Sequence, residues 1–237
     1  MNANHVIEHQ TTNLPVPSRR RRNVAADTRE SLINVAAHLF RVRGFGSVTI
    51  DEICAAVSPP LSKGAFYHSF DSKQAVLFAI LEKYMLEAAE FVDALENSEG
   101  ESAEQIEQLF LHSSEMLKTF RPYVVVSILE QRHLSGEYST RVKQMRDGYR
   151  RKIERIIRRG QESGTIIGLN AKILTLNYFG ILNWMYLWFE ERGPLSADEV
   201  VAICHTQFLR SVLVHPDDVL VSAAGPRRVA SRKRGIL

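Results

Sequence analysis

The sequence predicts an all-α protein. Apolar residues recur at helical rather than alternating spacing in every periodic segment. Two Ser/Thr-x-x-Glu helix starts stand before apolar runs, at Thr49–Glu52 and Ser196–Glu199. Breakers fall between the periodic stretches, at Gly44, Pro59-Pro60, Gly136 and Gly193-Pro194. A chain of 237 residues has room for one large or two small domains with ample core.

Composition narrows the function classes. A charged fraction of 24% and a hydrophobic fraction of 45% are ordinary for a globular protein. The eight histidines do not cluster at metal-ligand spacing, and there is no Gly-rich phosphate loop or nucleophile elbow. No catalytic residue, metal site or cofactor is therefore expected, and the chain is not read as an enzyme. Cys54 and Cys204 lie far apart inside predicted helices, as small core residues of a reducing compartment. The basic run near the start is not followed by an apolar segment, so no signal peptide is expected and the cytoplasm is the default.

Residues 1–18 are polar and aperiodic, and with Arg19, Arg20, Arg21 and Arg22 they read as a disordered basic arm over 1–22. Four successive arginines suit phosphates or a minor groove, although a solvated arm has the same composition. Leu32, Ile33, Ala36, Ala37 and Phe40 then give a helix over 28–40, stopped by Gly44. Thr49 and Glu52 open a second helix, with Ile50, Ile53 and Val57 on one face. Pro59 and Pro60 cannot continue it. Ser62 caps a third helix, in which Phe66 and Phe70 point inward.

The opposite face of that third helix holds Lys63, Gly64, Tyr67 and His68. A lysine and a phenol suit phosphates, and a helix start adds its amides. Gly64 and Ala65 lack bulk, so the backbone can approach a groove. This is the composition of the second helix of a helix-turn-helix, and also of a plain surface hairpin.

The flanks separate the two. The order of Ala-Ala-His-Leu-Phe-Arg-Val-Arg-Gly-Phe (36–45), Val-Thr-Ile-Asp-Glu-Ile (48–53), Ser-Lys-Gly-Ala-Phe-Tyr-His-Ser-Phe (62–70) and Ser-Lys (72–73) resembles the TetR family of transcriptional regulators over roughly residues 28–80. The resemblance implies a DNA-binding domain over 23–75. Its DNA-contacting set would be Arg19–Arg22, Thr49, Ser62, Lys63, Gly64, Ala65, Tyr67, His68 and Lys73. One departure is visible. The family's short glycine-containing turn is replaced by Ser58-Pro59-Pro60-Leu61, which adds two residues.

A helix from Ser72 to about Leu95 follows, and Asn97–Ser102 reads as a linker. Further helices are expected from Ile106 to Phe120 and from Pro122 onward, the second despite its strand-like valine run. A long helix over 138–163 sets Val142, Met145, Tyr149, Ile153, Ile156 and Ile157 inward and an arginine-rich face outward. That basic face is either solvated or turned to an anionic ligand or DNA.

Residues 170–192 are apolar on all sides. Asn177 and Asn183 interrupt the run, and charges bracket it, so a membrane span is not expected. Burial from two sides, by the chain's own core and by a second copy, accounts for it. A last helix opens at Ser196 and carries Val201, Cys204, Phe208 and Val212. Residues 76–214 are thus expected to form a helical ligand-binding and dimerisation domain, and 215–237 a disordered basic tail.

Arg121-Pro-Tyr123 and residues 180–189, followed by Gly193, resemble a subgroup of the same family that answers to acyl-CoA esters. An acyl chain needs an apolar tunnel. Phe120, Tyr123, Trp184, Met185 and Trp188 are candidates to line it, with Asn183 for polar contact and the arginine-rich helix for the phosphates. The family resemblance implies a homodimeric repressor on a palindromic double-stranded operator, released by a small apolar or acyl-CoA-type effector. A helical protein-interaction module, with the helix-turn-helix only structural, is the alternative.

Overall fold

The computed structural model describes residues 19–215. The arm over 1–18 and the tail from 216 onward lie outside the described residues. The helices are α1 (Arg19–Arg43), α2 (Ile50–Ala56), α3 (Lys63–Ser69), α4 (Lys73–Glu96), α5 (Ser102–Thr119), α6 (Arg121–Glu130), α7 (Gly136–Glu162), α8 (Ala171–Trp188) and α9 (Ala197–Val212). A 3-10 turn, Gln131–His133, follows α6. Among the described residues the only β pairing is an isolated bridge between Ile166 and Leu213. None of these helices is long and apolar enough to cross a membrane.

Local signals set most of the boundaries. Thr49 and Ser196 each make the reciprocal capping box with Glu52 and Glu199. Ser62 and Ser72 each accept an amide N–H three residues on, from Ala65 and Ala75. Gly44 ends α1 at φ +80°, where a side chain would be strained. The valine run of α6 is helical, with Pro122 in its first turn.

Two expectations are corrected here. Arg19–Arg22 is not an irregular arm in its backbone but the first turn of α1, because arginine and the following alanines are good helix formers. Helix α8 stops at Trp188 rather than near Arg192, leaving Glu190–Arg192 in the loop before Pro194.

Two apolar cores stack end to end along α4. The first holds Leu32, Phe40, Ile53, Phe66, Val76 and Leu81, and Tyr123, Val126, Leu134 and Val142 join it from α6, the segment after it and α7. It therefore runs past the expected domain edge at residue 75. The second gathers Phe110, Ile156, Tyr178, Met185 and Phe208 from α5, α7, α8 and α9. Helices α5 and α7 pass closely at Gly160, where an added Cβ would lie 2.9 Å from the Cβ of Ser102.

The arginine-rich face of α7 is neither simply solvated nor free. Arg141 pairs with Glu82 at 2.9 Å, Arg155 reaches Glu96 at 2.8 Å and Lys152 pairs with Asp93, so three rungs tie α7 to α4. Arg159 donates to Gln105 Oε1 at 3.1 Å. Among the described residues, Lys143 and Arg151 make no ion pair.

Candidate nucleic-acid interface and ligand cavity

Helices α2 and α3 are joined by a turn closed by the Leu61 amide, which donates to the Cys54 carbonyl at 3.0 Å. Phe66 and Phe70 are buried, and α1 covers the latter with the Arg29 guanidinium 4.7 Å above its ring. Ser62, Lys63, Gly64, Tyr67 and His68 are exposed, Tyr67 by 52%, and Ala65 is half-buried. The outward face is the one the spacing predicts. Lys63 is held over α2 by Asp51 at 2.8 Å, and that hydrogen bond raises the ammonium pKa. A Cβ added at Gly64 would meet only Ser62 Oγ, at 3.6 Å. Packing within the chain therefore gives no reason for glycine there.

Thr49, which is exposed, and Lys73, which is half-buried, make hydrogen bonds that hold the motif together. The Thr49 amide and hydroxyl both donate to Glu52, and Arg43 pairs with the same carboxylate at 2.7 Å. The Thr49 backbone hydrogen bond, then Arg43 and the Thr49 hydroxyl, pull the Glu52 pKa from 4.5 down to about 2. Lys73 was expected on the DNA face. Its Nζ instead donates to the carbonyls of Phe45 and Val48, both at 2.7 Å, and sits 4.4 Å from the centre of the Phe45 ring. Burial lowers its pKa. Two of its three N–H donors thus strap the α1–α2 loop to α4. The side chains of Arg19–Arg22 lie outside those the structure describes.

A cavity of about 350 Å³ opens between α4, α6, α7 and α8. Its wall includes Tyr84, Ser127, Ile128, Gln131, Tyr149, Phe179 and Asn183, with Arg146, Asp147 and Arg150 from α7. A small extension of about 20 Å³ continues inward, sharing Tyr84, Tyr149, Phe179 and Asn183 and adding His112, Tyr178 and Tyr186. Arg146 donates to Gln131 Oε1 at 2.7 Å, and Arg150 pairs with Glu154 at 3.4 Å. Tyr186 donates to the Ser113 carbonyl at 3.1 Å. Burial pushes the Tyr84 phenol up to about 12, so it stays a neutral donor. His112 stacks on Phe91 at 3.9 Å, burial lowers its pKa, and its Nε2 has no partner among the described residues. An apolar, phenol-lined interior with two guanidinium groups in its wall suits an amphipathic molecule with an anionic end.

Of the six residues expected to line a tunnel, only Asn183 lines this cavity. Tyr123 instead donates its hydroxyl to Asn34 Oδ1 of α1, and Lys83 of α4, paired with Glu30, reaches that hydroxyl at 3.4 Å. Phe120 packs beside Tyr123, with ring centroids 5.4 Å apart. Met185 is fully buried in the second core. Trp184 and Trp188 are 66% and 45% exposed on the far side of α8. Arg146 and Arg150 belong to the arginine-rich helix expected to serve phosphates, and the residues missed are Tyr84 and Tyr149. The signal for Tyr149 was its place on the inward stripe of α7 between two arginines.

The cavity and the helix-turn-helix meet through the 3-10 turn. Gln131 lines the cavity, and two residues later the His133 ring stacks on Phe45, 5.1 Å between centroids. Phe45 is the residue Lys73 straps.

Comparison with known proteins decides the family. Residues 32–80 match the family described as bacterial regulatory proteins, tetR family, and residues 99–212 match the tetracyclin repressor-like C-terminal domain. The chain belongs to the TetR family. It is a DNA-binding transcriptional regulator with a helix-turn-helix, in a family of regulators rather than enzymes. The HTH-type transcriptional repressor KstR2 of Mycolicibacterium smegmatis is 25% identical over 177 residues, covering 74% of this chain and 85% of that protein. The ketosteroid transcriptional regulator KstR2 of Mycobacterium tuberculosis superposes with a TM-score of 0.71 at 21% identity, covering 78% of this chain and 94% of that one. AibR, solved with isovaleryl coenzyme A and operator DNA, superposes at 0.69 and 21% identity, covering 76% and 97%.

Proposed function

We propose that this TetR-family chain is a homodimeric, cytoplasmic repressor whose grip on a palindromic operator is released by an amphipathic effector, with acyl-CoA esters as the candidate class. The observation that carries the DNA half is the outward face of α3. Ser62, Lys63, Gly64, Tyr67 and His68 are all exposed there, and a Cβ on Gly64 would meet only Ser62 Oγ within 4 Å. Two copies would place this helix in major grooves about 34–36 Å apart, one helical turn of DNA.

The dimer reading is supported by α8 and α9, where Ile173, Leu176, Trp184, Trp188 and Ile203 are exposed together. A contiguous apolar face of this kind marks a protein contact. The effector reading is supported by the 350 Å³ cavity, with Tyr84 and Asn183 inside and Arg146 and Arg150 in its wall. The AibR complex gives an acyl-CoA precedent in the same fold. An effector acts only through its different affinity for the two forms of the protein. Contact with Gln131 would reach Phe45 through His133.

Fluorescence anisotropy on DNA from upstream of the gene, titrated with salt and then with a panel of acyl-CoA esters, tests the reading. Specific binding that weakens steeply with salt and is released by one ester supports all of it. Specific binding that no ester changes leaves the regulator and removes the acyl-CoA class. If selection from random DNA enriches no palindrome, the repressor reading gives way to the interaction module.

A further inference from the structure

We propose that α8 carries a knob and a hole that fit each other across a two-fold axis, with the partner subunit's Trp184 seated in the hollow over Gly180. The inference rests on the dimer of the proposed function and fixes its register.

Gly180 stands in the middle of α8, where glycine is the poorest helix former after proline. A Cβ added there would meet nothing within 4 Å. Its φ is not positive, so neither packing within the chain nor backbone conformation calls for glycine. Gly180 lies in an open hollow of about 370 Å³ between α8 and α9, lined also by Leu176, Asn177, Ile181, Gln207, Phe208 and Ser211. One turn further along the same side stands Trp184, 66% exposed. A large unsupported ring beside an unfilled hollow has no purpose in an isolated chain.

Leu176, Gly180, Trp184 and Trp188 form a single row at four-residue spacing, the ridge by which helices pack. A two-fold contact requires that when one residue meets another, the second meets the first. Two antiparallel copies of α8, crossing at the level of Leu182, meet that condition at each turn. Gly180 faces the partner subunit's Trp184, and Leu176 faces the partner subunit's Trp188. Ile203 of α9, also exposed, widens the apolar face beside the row. Tryptophan is one of the residues in which interface hot spots are enriched.

The knob and the hole can be exchanged, and that is the test. Sedimentation equilibrium is run on the full chain, on Gly180→Trp, on Trp184→Gly, and on the double variant. Each single change should weaken the dimer by about tenfold or more, one through a clash of two rings and the other through two facing voids. The double variant keeps the contact with its roles exchanged and should recover to within a few fold of the wild type. Far-UV circular dichroism confirms helicity, and Gly180→Leu replaces Gly180→Trp if the larger residue unfolds the helix. A Gly180→Trp chain that dimerises like the wild type overturns the seating, as does a double variant no better than the single ones. A wild-type chain that stays monomeric at every concentration removes the dimer reading itself, and this inference with it.

Discussion

His133 stacks on Phe45, with ring centroids 5.1 Å apart, and so joins the segment that walls the cavity to the loop that enters the helix-turn-helix. His133 is also within 3.2 Å of Glu130, whose Oε1 lies 3.6 Å from the position a Cβ on Gly44 would take. His133→Ala should therefore lower stability by about 1 kcal/mol, the worth of an aromatic pair. Operator affinity without effector should change by no more than a few fold, while the effector's ability to release DNA should fall. Anisotropy with and without effector separates the two; undiminished release would show that this stack does not carry the signal.

Lys73 and Lys63 make opposite predictions although each stands at the start of a helix, α4 and α3. Lys73→Met removes two hydrogen bonds from a charged donor and should destabilise the fold by about 1–3 kcal/mol in thermal melts. Lys63→Ala should leave the melting temperature unchanged, weaken binding across sequences and reduce the salt slope by about one. A salt slope unchanged by Lys63→Ala would remove it from the phosphate contacts.

Gly64→Ala should raise stability by about 0.5–1 kcal/mol, because alanine is the better helix former and its Cβ meets only Ser62 Oγ at 3.6 Å. DNA affinity should fall in the same variant. Gain in one measurement with loss in the other is the signature of a glycine kept for close approach to a groove.

Glu52 sets an acid limit on the DNA-binding half. Its pKa is pulled from 4.5 to about 2 in the folded chain, so on acidification the unfolded chain takes up this proton first. The carboxylate's contribution is complete above the unfolded value and is lost as pH falls from about 4.5 to about 2. Glu52→Gln should flatten the stability profile across that window, as read by melts at successive pH values. Wild-type steepness in the variant would assign the acid limb to other carboxylates.

Tyr84→Phe and Arg146→Ala should each weaken effector binding while leaving operator affinity intact, since neither residue touches α2 or α3. Isothermal titration with the released ester reads the first effect and anisotropy the second. Full effector affinity in both variants would place the ligand elsewhere.

What could be read in advance was local. The boxes at Thr49–Glu52 and Ser196–Glu199 close within three residues, so sequence alone specifies them. Helical spacing likewise set Phe66 inward and Tyr67 outward. The cavity could not be read in this way, because its wall comes from residues as far apart as Tyr84 and Asn183. Trp184 and Trp188 looked like pocket lining because a helix apolar all round does not reveal which side faces which neighbour. Tyr123 looked like lining because its partner Asn34 lies 89 residues away in the chain. The rungs from α7 to Glu82, Asp93 and Glu96 were hidden for the same reason, and a face that seemed free proves partly tied to α4.

Those rungs give α4 a mechanical character. Its 24 residues span about 36 Å, with one end beside α3 and the other pinned to α7. If the pinned half tilts by about 10° around the middle, simple leverage swings the free end by about 3 Å. That is close to the 3.4 Å rise between stacked base pairs. Under the proposed reading, a small rotation at the cavity end would thus be geared to a one-base-pair error in reach, and two subunits tilting outward would double it.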